Sequence, residues 1–216
     1  MKEDKFDYEA TRKISFEKPE PPIVFRVAWY VMASQPGVYL TDYGEAEAQE
    51  FEGHASFSAK YNDARVGLEF EVLENASRIE MAVQGDNEVD INALADELIQ
   101  RMETSIEKYL SLTSEAEFKV RRALVAKTCW DRLVYYIFEK RPLSDVYYML
   151  AHGREMIIKA TEGEAVEPLT LSTSAWLSRF DNLSRDDPTP TDLASGLAKK
   201  SIQWKRATHM VIEKYL

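Results

Sequence analysis

Apolar and polar positions change rhythm once along this chain, near residue 90. Before it the period is two. In HASFSAKYNDARVGLEFEVLENASRIEMAVQGD, residues 54–86, Ala55, Phe57, Ala59 and Tyr61 alternate with polar residues. Val66, Leu68, Phe70 and Val72 do the same, and then Ile79, Met81 and Val83. YNDA and ENAS supply turn residues between these runs. The pattern predicts an antiparallel meander with one buried and one wet face. Upstream, IVFRVAWYVM places Ile23, Phe25, Val27, Trp29 and Val31 on one side of a strand. Its other side, Val24, Ala28, Tyr30 and Met32, is hardly more polar, so such a strand is buried on both faces or covered by a partner. Pro21 and Pro22 mark its start, because proline is tolerated at a strand's first residues but not within its ladder. QPGVYLTDYG then predicts a turn and a short strand, and EAEAQEFEG a polar connection.

From residue 90 the period becomes about 3.6. DINALADELIQRMETSIEKYLSL places Leu94, Leu98, Met102, Ile106 and Tyr109 on one stripe, with Asp90 or Asn92 as the expected cap. Ser114 and Glu117 form a capping box that opens a second helix, which Pro142 is expected to end. Ser144 or Asp145 starts a third helix. EGEAVEPLT reads as a loop, TSAWLSRFDNL as a short helix, and Thr189, Pro190 and Asp192 open the last helix. The predicted fold class is α+β, an N-terminal antiparallel sheet followed by a C-terminal helical bundle. The expected units are residues 1–112, the sheet with a packing helix, and residues 113–216, a helical domain.

Charge divides the chain at nearly the same place. Residues 1–112 hold 11 Lys and Arg against 23 Asp and Glu, a net of −12, whereas residues 113–216 hold 16 against 14, a net of +2. The whole chain of 216 residues has a net charge of −10, which as a global field repels nucleic acid and anionic membranes. With 45% hydrophobic and 30% charged residues its composition is that of a folded protein rather than a disordered one. The longest apolar run is interrupted by Arg26 and falls far short of the ~20 residues that span a bilayer. MKEDKFDYEA has no basic start followed by an apolar core, so the expected location is cytoplasmic. One cysteine, Cys129, excludes an internal disulfide and a thiolate zinc cluster.

Motifs for catalysis are sparse. Eight glycines leave little room for a phosphate loop, and no nucleophile elbow or dinucleotide fingerprint occurs. His152 and Glu155 are three apart on a predicted helix, too few ligands for a metal site by themselves. Glu69 and Glu71 share the wet face of their strand, where carboxylates serve solubility and edge protection rather than acid–base work. Cys129 lies in an apolar helical stretch and reads as a buried structural thiol. No cofactor is expected, and an enzymatic role is not favoured. Lys119, Arg121, Arg122, Lys127 and Arg132 lie along one helix, and Lys199, Lys200, Lys205 and Arg206 along the last. Converging, they would make a patch for nucleic acid or for an acidic partner, the second group being the candidate nucleic-acid contact, against the simpler reading of solvated helix faces, some paired with the acidic N-terminal half.

Residues 14–29, ISFEKPEPPIVFRVAW, resemble the first strand of the SecB family of export chaperones. Ile14, Ser15, Phe16, Glu17, Pro19, Pro22, Val24, Phe25 and Trp29 carry the resemblance. It implies a homo-oligomeric, ATP-independent holdase that binds polypeptide in apolar grooves, with Phe25 and Trp29 lining or approaching a groove. The two-sided apolar strand, the charge asymmetry and the lack of a catalytic motif set the expected function as non-enzymatic protein binding, as a chaperone-like or adaptor subunit of a larger assembly. Phe16, Phe25, Trp29 and Tyr30 are its candidate protein-binding residues. A small-molecule or enzymatic cavity between the sheet and the long helix, and nucleic-acid contact through the last helix, are the alternatives.

Overall fold

The computed structural model of this chain describes residues 6–17, 23–35, 38–43, 54–61, 64–161 and 167–216. The protein is α+β: a five-stranded antiparallel sheet comes first and helices follow. It divides into two compact units, Met1–Leu110 and Ser111–Leu216. Among the described residues no helix is long and apolar enough to cross a membrane.

In the first unit, β3 (His54–Tyr61), β4 (Ala64–Val72) and β5 (Ser77–Gly85) form the expected meander, and the short strand expected before it, β2 (Val38–Tyr43), pairs with β3. β1 (Tyr8–Phe16) joins it antiparallel to β5, giving the order β1-β5-β4-β3-β2. The period-two pattern is realised in register. Ala10, Val83 and Val66 lie abreast, as do Ile14, Ile79 and Phe70, and all six are buried. The opposite face carries Lys13 paired with Glu80 at 2.8 Å and Arg78 with Glu71 at 2.6 Å, so Glu71 is one half of a cross-strand ion pair. Backbone closure from Leu73 N–H to Ala76 C=O at 2.7 Å makes the β4–β5 turn in ENAS. Pro21, Pro22, the 45–53 connection, Asn62 and Asp63 lie outside the described residues, as do the side chains of Ala55, Phe57, Ala59 and Tyr61.

The run IVFRVAWYVM corrects the strand expectation: Ile23–Ala33 is a helix, α1. Its residues are buried round most of the axis, with Val24, Phe25, Val27 and Ala28 fully inaccessible, Trp29 only 2% exposed, and Arg26 and Ala33 half-buried on one stripe. A helix buried on nearly every side is apolar on nearly every side, so its 3.6 period is too weak to separate it from a two-faced strand. Its β-branched residues favour a strand, and packing overrides them. Phe25 stacks on Phe70 of β4 with ring centroids 5.8 Å apart, and Trp29 meets Phe25 edge-on.

α2 (Glu88–Leu110) packs on α1, β1 and β5 through Ile91, Ala95, Leu98, Met102, Ile106 and Tyr109, with Leu94 half-buried beside them. Its cap is Asn87, whose side-chain oxygen accepts from the N–H groups of Val89 and Asp90, rather than Asp90 or Asn92. Arg12, on the helix-facing side of edge strand β1, donates to Asp96 at 2.6 Å and to Asn92 at 3.1 Å, tying strand to helix. Between sheet and α2, the position of the expected ligand cavity, Leu68, Met81, Leu98, Met102 and Ile106 bury their side chains.

In the second unit α3 (Ser114–Phe138) is packed by both α4 (Leu143–Thr161) and α6 (Thr191–Ile212). α5 (Glu167–Leu177) and a 3₁₀ turn (Ser178–Phe180) complete it. Thr113, one residue before the expected Ser114, caps α3 by accepting from Ala116 N–H. α3 ends at Phe138, four residues before Pro142, where Lys140 turns left-handed at φ 52°. The carbonyls of Arg185 and Asp187 accept from the N–H groups of Ser144 and Leu143, pinning the start of α4. Gly153 of α4 lets that helix approach α3, since a Cβ there would stand 2.6 Å from the Trp130 ring and 3.0 Å from Cys129 Cβ.

Two outcomes test this packing. Trp29→Ala should destabilise the protein by about 3–5 kcal/mol in a chemical denaturation series, as a core truncation does. A loss under about 1 kcal/mol would refute its core position. Gly153→Ala should cost about 1–3 kcal/mol by overpacking against Trp130, whose ring is fully enclosed.

Candidate functional site

Of the four residues expected to bind protein, Phe25, Trp29 and Tyr30 are buried in the first unit, at 0, 2 and 7% exposure. They hold α1 in place and present no surface, which corrects the expectation that they line a groove. Phe16, half-buried at the end of β1, remains partly accessible.

The basic residues of α6 do not share one face. Successive residues of a helix turn by about 100°, which brings Lys199, Arg206 and Met210 into one stripe flanked by Ile202 and Gln203. All five are exposed. Ile202 and Met210 are 67% and 61% accessible, while Leu193, Leu197, Trp204, Val211 and Ile212 on the other side of the helix are buried. Lys200 is half-buried and donates to Gln203 at 3.2 Å. Lys205 turns inward and meets Asp131 Oδ1 at 2.7 Å. The four-residue basic patch expected for nucleic acid is thus reduced to Lys199 and Arg206 on the open stripe.

Asp131 of α3, 3% exposed, also accepts from Lys127 Nζ at 2.7 Å, one turn back on its own helix. One buried carboxylate therefore pairs with two ammonium groups, one from each helix. Burial acts against the Asp131 charge, and the charges and hydrogen bonds of Lys127 and Lys205 together outweigh it, holding its pKa below the usual 3.8. Lys127 has its pKa lowered, first by burial and then by the charge of Lys205, against the pull of Asp131. The asymmetry follows from two cations sharing one anion. Lys127 and Arg132, expected on a solvated basic face, are instead 6% and 8% exposed. Beside the triple, Trp130 Nε1 donates to Thr208 Oγ1 at 3.0 Å, and that hydroxyl donates to the Trp204 carbonyl. The Trp130 and Trp204 rings lie 5.4 Å apart.

Among the described residues no group of three or more His, Cys, Asp or Glu is placed to hold a metal ion. His152 stacks on Tyr148, and Glu155 accepts from Lys159 rather than sharing a ligand with the histidine. Cys129 is buried and free of any disulfide. Sequence reasoning missed the Lys127–Asp131 pair although its i,i+4 spacing was in view, because the period of α3 does not reveal that a third helix covers that face. No protein-family model, curated protein or solved structure matches this chain.

The triple makes an asymmetric prediction. Asp131→Ala leaves buried Lys127 facing Lys205 without a counter-charge and should cost about 3–5 kcal/mol, whereas Lys127→Met should be neutral or stabilising. Because the folded Asp131 pKa is lowered, its contribution is present above the unfolded value of 3.8 and is lost as pH falls through the folded one. The stability gap between wild type and Asp131→Asn should therefore close over that acid window in urea titrations, and a constant gap would exclude the charge as its cause.

Proposed function

We propose that this chain is a non-enzymatic protein-binding protein of the cytoplasm, a chaperone-like or adaptor subunit of a larger assembly. The observation that carries the reading is the exposure of Ile202 and Met210 on a helix whose core-facing side is already filled. Exposed apolar residues are ordinary singly. Here they share one stripe with Arg206 between them, and apolar side chains with arginine are what interface centres are built from. Phe138 and Tyr148, at 75% and 57% exposure, add further large apolar surface to the same unit.

The SecB-like stretch belongs to this reading in altered form. Its Ile14 and Phe16 end β1 and its Val24, Phe25 and Trp29 belong to α1, so a polypeptide groove would use residues other than the buried aromatics. A homo-oligomeric holdase remains the form that the resemblance implies.

The test is the mass of the tagged full chain purified from its native host, with co-purifying proteins identified by mass spectrometry. One partner at fixed stoichiometry supports the adaptor form, and a spread of unfolded clients on an oligomer supports the holdase form. A monomer carrying nothing would overturn both.

A further inference from the structure

Resting on the protein-binding reading, we propose that the outer stripe of α6 docks an acidic amphipathic segment of a partner protein. Carboxylates of that segment meet Lys199 and Arg206, and its apolar side chains cover Ile202 and Met210.

Charge complementarity sets the partner's sign. Among the described residues Lys199 and Arg206 make no ion pair, in contrast to Lys205, which pairs with Asp131, and Lys200, which holds Gln203. At 1.5 Å of rise per residue the two cations stand about 10 Å apart along the helix, and Ile202 and Met210 about 12 Å apart. Apolar and cationic positions therefore interleave over one short ridge. A partner helix or extended segment with carboxylates between apolar residues matches both sets at once, and covering the apolar pair shields the ion pairs from water.

The same pattern argues against nucleic acid. A phosphate backbone rewards a continuous row of cations and gains nothing from Ile202 or Met210. A bilayer surface is also a poor match, because the main apolar side of α6 is spent on Leu193, Leu197 and Trp204 within the helical unit. The middle of α2 shows what a merely solvated face looks like here, with Asp96, Glu97, Gln100, Arg101, Glu103 and Glu107 exposed and the exposed apolar residues Val89 and Leu110 only at the helix ends. α6 differs in carrying Ile202 and Met210 in the middle of its outer stripe beside Lys199 and Arg206, with the exposed acids Asp192 and Glu213 only at the two ends.

The test is fluorescence anisotropy of the full chain with a labelled helical peptide of leucine and glutamate. Its lysine-for-glutamate twin and a single-stranded oligodeoxynucleotide serve as competitors in kind. The acidic peptide should bind, more weakly as salt rises, and Arg206→Glu and Ile202→Ser should each weaken it about tenfold or more. Both variants change exposed side chains, and unchanged thermal melting verifies that they are folded. Equal binding of the basic twin, or binding indifferent to both variants, overturns the proposal. Oligonucleotide binding that Arg206→Glu abolishes, without peptide binding, reassigns the stripe to nucleic acid. If α6 variants retain a native partner in full, this docking face is wrong while the protein-binding reading stands. If wild type retains no partner and binds no peptide, both fall.

Discussion

Asp131 accepting from Lys127 and Lys205 at 2.7 Å each is the contact on which the helical unit's arrangement turns. A charged group in the interior is tolerated only when its neighbours satisfy it, and here the second cation comes from another helix. Together with Trp130 donating to Thr208 on another part of α6, it fixes the rotation of α6 about its own axis. With Lys205 held inward, Lys199, Ile202, Arg206 and Met210 have only the outside left to them. The exposed stripe thus lies opposite the buried Leu193, Leu197, Trp204, Val211 and Ile212, in the orientation that the ion network also requires.

The sheet unit obeys a different constraint. Its two helices must cover one face of five strands, and α1 does so by being buried on nearly all sides. Phe25 stacks against Phe70, and the aromatic-rich opening stretch is spent on internal packing rather than recognition. At the sheet edge, where β1 is least supported, Arg12 reaches across to Asp96 and Asn92 of α2. That contact is exposed at Asp96, so it directs the strand more than it stabilises it.

Legibility followed burial geometry. The meander was readable because β4 and β5 each bury one face more than the other, so the register rows of Val66, Leu68 and Phe70 beside Val83, Met81 and Ile79 repeat the alternation in the sequence. The stripe of α2 was readable for the same reason, one face in and one face out. α1 was not, because enclosure on nearly every side blurs the period that separates helix from strand. The basic residues misled in a related way: Lys127, Arg132 and Lys205 look like solvent-facing charges until a neighbouring helix is placed over them.

By itself the sequence determined the α+β class, the change of period near residue 90, the charge asymmetry and the buried faces of β4, β5 and α2. Those features are local, since each follows from a residue's chemistry and its spacing along one element. Tertiary structure alone decided that 23–33 is a helix, that β1 lies beside β5, and that Phe25 and Trp29 are interior. It also decided which of four cations on α6 meet solvent. These depend on what lies opposite a side chain, and that neighbour comes from a distant part of the chain, where no spacing rule reaches.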